Sequence, residues 1–401
     1  MKKKSQKNAE TPKHTVVQIQ KSTLVFLIAI CFILAIGMAL GFARSFHLEE
    51  KYSRLDQLVS AVDAAYYTDV DEEAAMDGAL KGYVDGLDDP YSQYMTSAEY
   101  TSYQTTESGT TTGIGITMSV TEDGYMHIES VLADTPAAQA GLQADDVVVA
   151  VDGQDVAEIG YEAAVSLIRD GDEDTSVCLT ILRDEETFDQ EASRMVIEVA
   201  SCWGQMLENN VGYIRIASFK ENTPEQFQEI FDQLLEDGVQ SFVFDLRDDG
   251  GGLVTSLEQI LDPLLPEGEI AVATYKDGTT KTLVTSDAEK CDLPMVVIVN
   301  ENTASAAELF TVSLSDFGKA TVVGVTTYGK GVMQVTQELP DGGALTITTA
   351  TYRTTKGECY HGVGITPDEE VEIGDYEVDY ENPDSENDLQ LARALEILIT
   401  E

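Results

Sequence analysis

The sequence predicts a mixed α+β and α/β multidomain chain, with an N-terminal transmembrane helix, a helical segment, a β-rich module and a mixed α/β domain. Three observations carry this. An uncharged apolar run, Leu24–Ala43, stands near the start; short strand-like segments fill residues 113–185; from Val211 onward apolar strands alternate with amphipathic helices. With 401 residues, 43% of them hydrophobic, the chain can bury ordinary cores in about two or three domains.

The apolar run comes first. As a helix rising ~1.5 Å per residue it would cross the ~30 Å hydrocarbon layer of a membrane. Lys2, Lys3, Lys4, Lys7, Lys13 and Lys21 precede it and only Arg44 follows closely, which puts the N-terminus in the cytoplasm and the bulk of the chain outside a single-pass cell-membrane anchor. A cleaved signal peptide with a site at Ala39-Leu40-Gly41 competes, but the run is longer than the ~7–15 residues of a typical signal h-region. Charge divides at the same place. Overall, 24 Lys+Arg against 72 Asp+Glu give −48; residues 1–50 hold seven basic and three acidic residues, which leaves 17 against 69, or −52, for residues 51–401. Such a balance excludes general nucleic-acid binding.

Residues 47–104 read as helical, with Leu55, Leu58, Val59 and Val62 on one face and Ala79, Leu80, Tyr83 and Leu87 in a second apolar segment, until Pro90 in LDDPYSQY stops the helix. TTESGTTTG at 105–113 reads as a flexible connection. Beyond it come strands GIGITMSV and YMHIESV, the segment DTPAAQAGLQADDVVVAVDG, helix YEAAVSLIRD and strand SVCLTILR. That order resembles a PDZ domain, with a short helix, a closing Gly and a two-acid turn before a strand. Gly113, Ile114, Gly115 and Ile116 then fall where PDZ domains hold a peptide's terminal carboxylate on consecutive backbone N–H groups.

The α/β domain starts with strand VGYIRIASF, a helix and strand SFVFDLR, a βαβ unit. In that helix Pro224 suits the first turn, Phe227, Ile230, Phe231, Leu234 and Leu235 form the apolar stripe, and Gly238 closes it. There follow helix LVTSLEQILDPLL, strands IAVATY and PMVVIVN, helix SAAELFTVSLSDF, strand ATVVGV, and the pair VMQVTQEL and ALTITTATYRT. The acidic stretch 368–388 reads as solvated surface, and LQLARALEIL as a closing amphipathic helix. The expected divisions are a basic tail 1–21, anchor 22–43, helical segment 44–106, module 107–190, α/β domain 191–370 and closing segment 371–401. Cys31, Cys178, Cys202, Cys291 and Cys359 are too scattered for a metal site, and Cys178 reads as a packed free thiol.

Ser305 stands where PMVVIVN gives way to a helix N-terminus, a place with unpaired N–H donors that could steady an oxyanion. Ser305-Ala306-Ala307-Glu308 is equally a capping box, in which the serine is structural. A nucleophilic serine needs a base, and none of His14, His47, His127 or His361 has a catalytic setting. Lys330, between glycines in TTYGKGVMQ with Gln334 four positions on, is the better candidate; its alternative is an exposed loop lysine. GVTTYGKG approaches a phosphate-binding loop, but Gly331 fills the Ser/Thr position and a strand follows, so nucleotide binding is rejected. No metal or other cofactor is expected.

Together with these motifs, YYTDVDEEAAMDGALKGYVDGLDDPYSQYM, DLRDDGGGL, HGVGITPD and the final LQLARALEIL make the chain resemble the carboxyl-terminal processing serine peptidases, the tail-specific protease family. In that family a Ser in a TAS-type motif is followed 25 residues later by a Lys and four further on by a Gln; here these are Ser305, Lys330 and Gln334. The resemblance implies a Ser–Lys dyad: neutral Lys330 takes the proton of Ser305, and Gln334 orients the lysine. A lysine ordinarily titrates near ~10.4, so Lys330 is expected to be largely buried and free of a carboxylate partner. The implied oxyanion donors are the N–H groups of Ala306 and Gly251, although where the family has DLRxNPGG this chain has Asp249 for Asn and Gly250 for Pro. Also implied are protein or peptide substrates gripped by a free C-terminus at Gly113–Ile116, and a role for Arg169 in coupling peptide binding to activity, against a plain surface arginine. The N-terminal helical segment is a candidate for homo-oligomerisation. The rivals are a catalytically silent scaffold and an anchored oligomerising structural protein; Ser305, Lys330 and Gln334 occurring together argue against both.

Overall fold

The computed structural model describes residues 52–400, apart from 170, 172–173, 288–290 and 375. Leu24–Ala43 lies outside the described residues, among which no helix is long and apolar enough to cross a membrane. The chain divides into two compact units, residues 1–78 and 79–401. In the first, residues 52–65 are helical, with Leu58, Val59 and Val62 exposed.

In the second unit, helix Ser97–Glu107 runs further than the sequence suggested. Thr96 and Glu99 cap it reciprocally, and Thr101, Thr105 and Thr106 turn their hydroxyls onto carbonyls four residues back, so a Ser/Thr-rich segment stays helical. Nor is 105–113 a free connection. Thr110–Gly113 is a strand paired antiparallel with Met195–Glu198, with Gly113 opposite Met195, so the module between them leaves and rejoins the chain through one two-stranded ribbon. Asn222 pins the ribbon's base by donating to the carbonyls of Gly109 and Val199.

The module's sheet runs in the order Ile116–Val120, Met126–Val131, Val147–Val151, Ser176–Arg183, Glu186–Ser193, with the first strand at an open edge. Alternation fixes the faces: Val177, Leu179 and Ile181 are buried against Ala164, Val165 and Ile168 of helix Tyr161–Arg169. Thr135 caps the short helix Pro136–Ala140, Pro136 opens it, and Gly141 ends it in the left-handed conformation.

The α/β domain has a six-stranded sheet, Cys202–Met206, Val211–Ile216, Ser241–Asp245, Met295–Val299, Ala320–Gly324 and Glu369–Glu370, parallel except for the first pair. The uninterrupted apolar runs follow from cover on both faces. Phe242, Phe244 and Val297 pack beneath helices Thr223–Glu236, Val254–Leu261 and Ala306–Asp316; Val243, Val296 and Ile298 pack against Leu391 and Ala394 of helix Leu389–Thr400. A second sheet centres on the long strand Ala344–Thr354, flanked by Gln93–Met95, Val332–Glu338 and Gly268–Tyr275, with Thr280–Ser286 beyond.

The acidic stretch 368–388 is not simply solvated. Asp368 accepts the N–H of Val322, Glu369–Glu370 extends the parallel sheet, and Asp388, 1% exposed, pairs with buried Arg247 at 2.8 Å. Arg247 also grips Asp245, so its charge is answered twice inside the fold. The Tyr380 ring lies 4.2 Å from the Arg215 guanidinium.

Candidate active site

The site is made where two loops at the ends of parallel strands meet. After strand Met295–Val299 the chain turns through Asn300–Ala304, held by the Thr303 hydroxyl on the carbonyl of Leu246 and by the Ala304 N–H on that of Asp249. Ser305 follows with φ 57° and ψ −117°, a conformation costly for a residue with a Cβ, and helix Ala306–Asp316 begins. Ala306 therefore contributes one of the N–H groups that have no acceptor within the helix.

Gly251 closes in from the Leu246–Gly252 loop. Its φ is +96°, and a Cβ there would lie 2.7 Å from Ser305 Cβ and 2.8 Å from the Ala306 nitrogen, so only glycine fits. Its N–H donates to Asp249 Oδ1 at 2.7 Å.

Lys330 is half-buried, with Nζ 4.6 Å from the centre of the Tyr91 ring, and makes no ion pair among the described residues. Burial pushes its pKa below the usual lysine value, while the charges of Asp89 and Glu308 pull the other way. The flanking glycines admit close packing: a Cβ on Gly329 would lie 2.8 Å from the Gly364 nitrogen, and one on Gly331 2.9 Å from that of His361.

Glu308 joins the two halves. It is completely buried and takes four donors: the N–H of Ser305 at 2.9 Å, of Lys330 at 2.7 Å and of Gly329 at 2.7 Å, and the Thr327 hydroxyl. Ser305 and Lys330 donate to the same oxygen, Oε2, so the backbones carrying them are registered to one atom. The sequence marked Glu308 only as the far end of a capping box.

Ser305, Lys330, Gln334 and Gly251 line one cleft of about 580 Å³, walled also by Tyr91, Tyr103, Leu253 and Tyr352. Gln334 Nε2 donates to the Thr348 hydroxyl at 2.9 Å, and the Tyr352 hydroxyl donates to the Lys330 carbonyl. Tyr91 falls in the LDDPYSQY stretch, where nothing assigned it to the site, and Tyr103 and Tyr352 lie in segments with no motif to single them out. Larger hollows of about 780 and about 630 Å³ flank the C-terminal segments, but neither brings a serine and a lysine together.

The module residues stand outside this cleft. Gly115 has φ +91°, with Thr135 so close that a Cβ would meet it at 2.3 Å. The carbonyls of Ile114 and Gly115 are tied back by the N–H groups of Ala137 and Leu132, and Arg169 is exposed at the end of helix Tyr161–Arg169.

Fold and site together define a serine-type endopeptidase with a PDZ domain. Residues 210–371 match the model of peptidase family S41, 127–183 that of a PDZ domain, and 40–99 that of the activating protease CtpB N-terminal domain. The carboxy-terminal processing protease CtpA of Bacillus subtilis is 33% identical over 330 residues, covering 82% of this chain and 70% of the relative. A carboxyl-terminal-processing protease of Synechocystis is 33% identical over 301 residues, covering 73% and 70%. The crystal structure of a Bacteroides fragilis protein described as an S41 protease superposes with a TM-score of 0.50 at 18% identity, covering 84% of this chain and 91% of that one, which is a likeness of fold. The chain belongs to peptidase family S41, among the carboxy-terminal processing serine proteases.

Proposed function

We propose that Ser305 and Lys330 are the dyad of an extracytoplasmic, membrane-anchored endopeptidase that selects substrates by their free C-terminus. Neutral Lys330 Nζ takes the hydroxyl proton as Ser305 Oγ attacks the peptide carbonyl. The resulting oxyanion accepts the N–H of Ala306, with Gly251 alongside as the second donor once its N–H turns from Asp249. Lys330 then passes the proton to the leaving amine, and water releases the acyl group from Ser305. Gln334 orients Lys330 within the cleft. The observation that carries this reading is the shared Glu308 oxygen, which holds a strained serine at a helix N-terminus in register with a half-buried lysine.

Substrate tails are held at Gly113–Ile116 and continue along the open edge strand Ile116–Val120 by strand addition. Arg169 carries the bound state onward. Leu24–Ala43 is the anchor, and the segment that follows it, where Leu58, Val59 and Val62 are exposed on helix 52–65, supports self-association.

The soluble fragment from residue 45, incubated with an unfolded model protein, tests the dyad. S305A and K330A should each lose nearly all turnover while retaining the fold, and the double variant should be little worse, because the two act as a unit. Substantial cleavage by either single variant overturns the assignment.

A further inference from the structure

Asp249 is one of the two residues at which the chain departs from the DLRxNPGG pattern, and its side chain is completely buried. Oδ1 accepts the Gly251 N–H; Oδ2 has no partner among the described residues. The groups that face it are Arg215, Lys220 and the Cys202 thiol. Both cations pull toward the ionised form, but among the described residues neither pairs with it: Arg215, whose Nε has no partner, lies 3.8 Å from Asp245 and under the Tyr380 ring, and Lys220 pairs with Glu107 at 2.8 Å. An ionised carboxylate, buried with one hydrogen bond and no counter-ion, is strongly disfavoured, whereas a neutral acid is tolerated.

We propose that Asp249 is a positioning residue working as a neutral carboxylic acid: in the resting site Oδ1 holds the Gly251 turn against Ser305 and, uncharged, gives up that N–H to the oxyanion, whereas ionisation closes the site by keeping the N–H and placing a negative charge where the reaction builds its own. Burial pushes its pKa up to about 8, against the pull of the Gly251 N–H, Arg215 and Lys220. The proposal rests on Ser305 as nucleophile for its second half only. Activity then has two limbs. It rises with pH as Lys330 loses its proton and falls as Asp249 loses its own.

The test uses D249N, an isostere of the neutral form, and D249A. On an unfolded model protein, the parent should lose about tenfold in rate between pH 7 and pH 9 relative to D249N, as expected for an essential acid titrating midway. D249A, which frees the Gly251 turn, should run about tenfold or more below D249N at every pH. A second arm compares melting temperatures in the S305A background. Because the folded-state pKa lies above the ordinary ~3.9 of an unfolded aspartate, its stabilisation is complete below that value and lost as pH rises to about 8. The melting temperature of S305A/D249N should therefore gain on that of S305A from pH 5 to pH 8 and then keep a constant lead. Parallel melting curves mean that Asp249 is buried ionised, and the proposal fails. Diverging melts with coincident pH–rate profiles overturn its link to catalysis. Failure of the Ser305 reading shows separately, as turnover in S305A, and the melting comparison does not depend on it.

Discussion

Glu308 has two roles, and only one belongs to its own helix. As a cap residue it steadies the first turn; as the common acceptor for Ser305, Gly329, Lys330 and Thr327 it fixes the proposed nucleophile and base to one frame. Hydrogen bonds to a charged acceptor contribute about 1.5–3 kcal/mol each, and stranded buried donors cost comparable amounts. E308A should therefore lose about 3 kcal/mol or more in urea unfolding. Its cleavage rate should drop about a hundredfold, since small misplacements of reacting groups are that costly; a folded E308A with the parental rate would refute the shared-frame argument. Asp89 offers a finer probe. Its charge favours protonated Lys330, so D89N, which keeps an acceptor for the Tyr91 N–H, should move the acid limb of the pH–rate profile to lower pH. A move to higher pH contradicts the sign. That Ser305, Lys330 and Gln334 belong together was legible because their spacing matches the family pattern whatever the folding detail, and the structure brings them to one cleft. The part of Tyr91, Tyr103 and Tyr352 was not, because no spacing ties them to Ser305 and only the folded chain brings them to the cleft.

Among the elements, the most readable were those whose burial leaves a period in the sequence. Val177, Leu179 and Ile181 alternate as a half-buried strand must, and Met295–Val299 is unbroken because both faces are covered. Glu186–Ser193 exposes nearly every side chain and Thr280–Ser286 most of its own, so neither carries an apolar rhythm. Thr110–Gly113 has the composition of a linker, and only its distant partner Met195–Glu198 makes it a strand. Within the module the edge strand Ile116–Val120 and its entry loop make a directional prediction. A peptide with an apolar tail should bind as the free acid and much more weakly as the amide, because the amide removes the charge that backbone N–H groups would hold. G115D should abolish binding, since a side chain there meets Thr135. Equal binding of acid and amide in a calorimetric titration would leave the module another task.

At the scale of the whole molecule, the acidic C-terminal segment is part of the fold. It delivers Asp388 to Arg247 and lays helix Leu389–Thr400 across the second face of the parallel sheet. Removing one partner of a buried ion pair costs about 3–5 kcal/mol, so a chain ending at residue 368 should fail to fold, as read by loss of a cooperative melt. The module stands in the opposite relation to the rest. Because the chain departs at Gly113 and returns at Met195 on facing rungs of one ladder, everything between is topologically a side branch, and the backbone's route through the peptidase would be unchanged without it. Replacing residues 114–194 by Asn-Gly, the turn that facing hairpin residues favour, should leave a domain with its own cooperative melt. The same ladder makes the branch a lever with a single fulcrum: whatever a captured tail tells the cleft through the covalent chain must pass as bending or twist of four paired residues on each side.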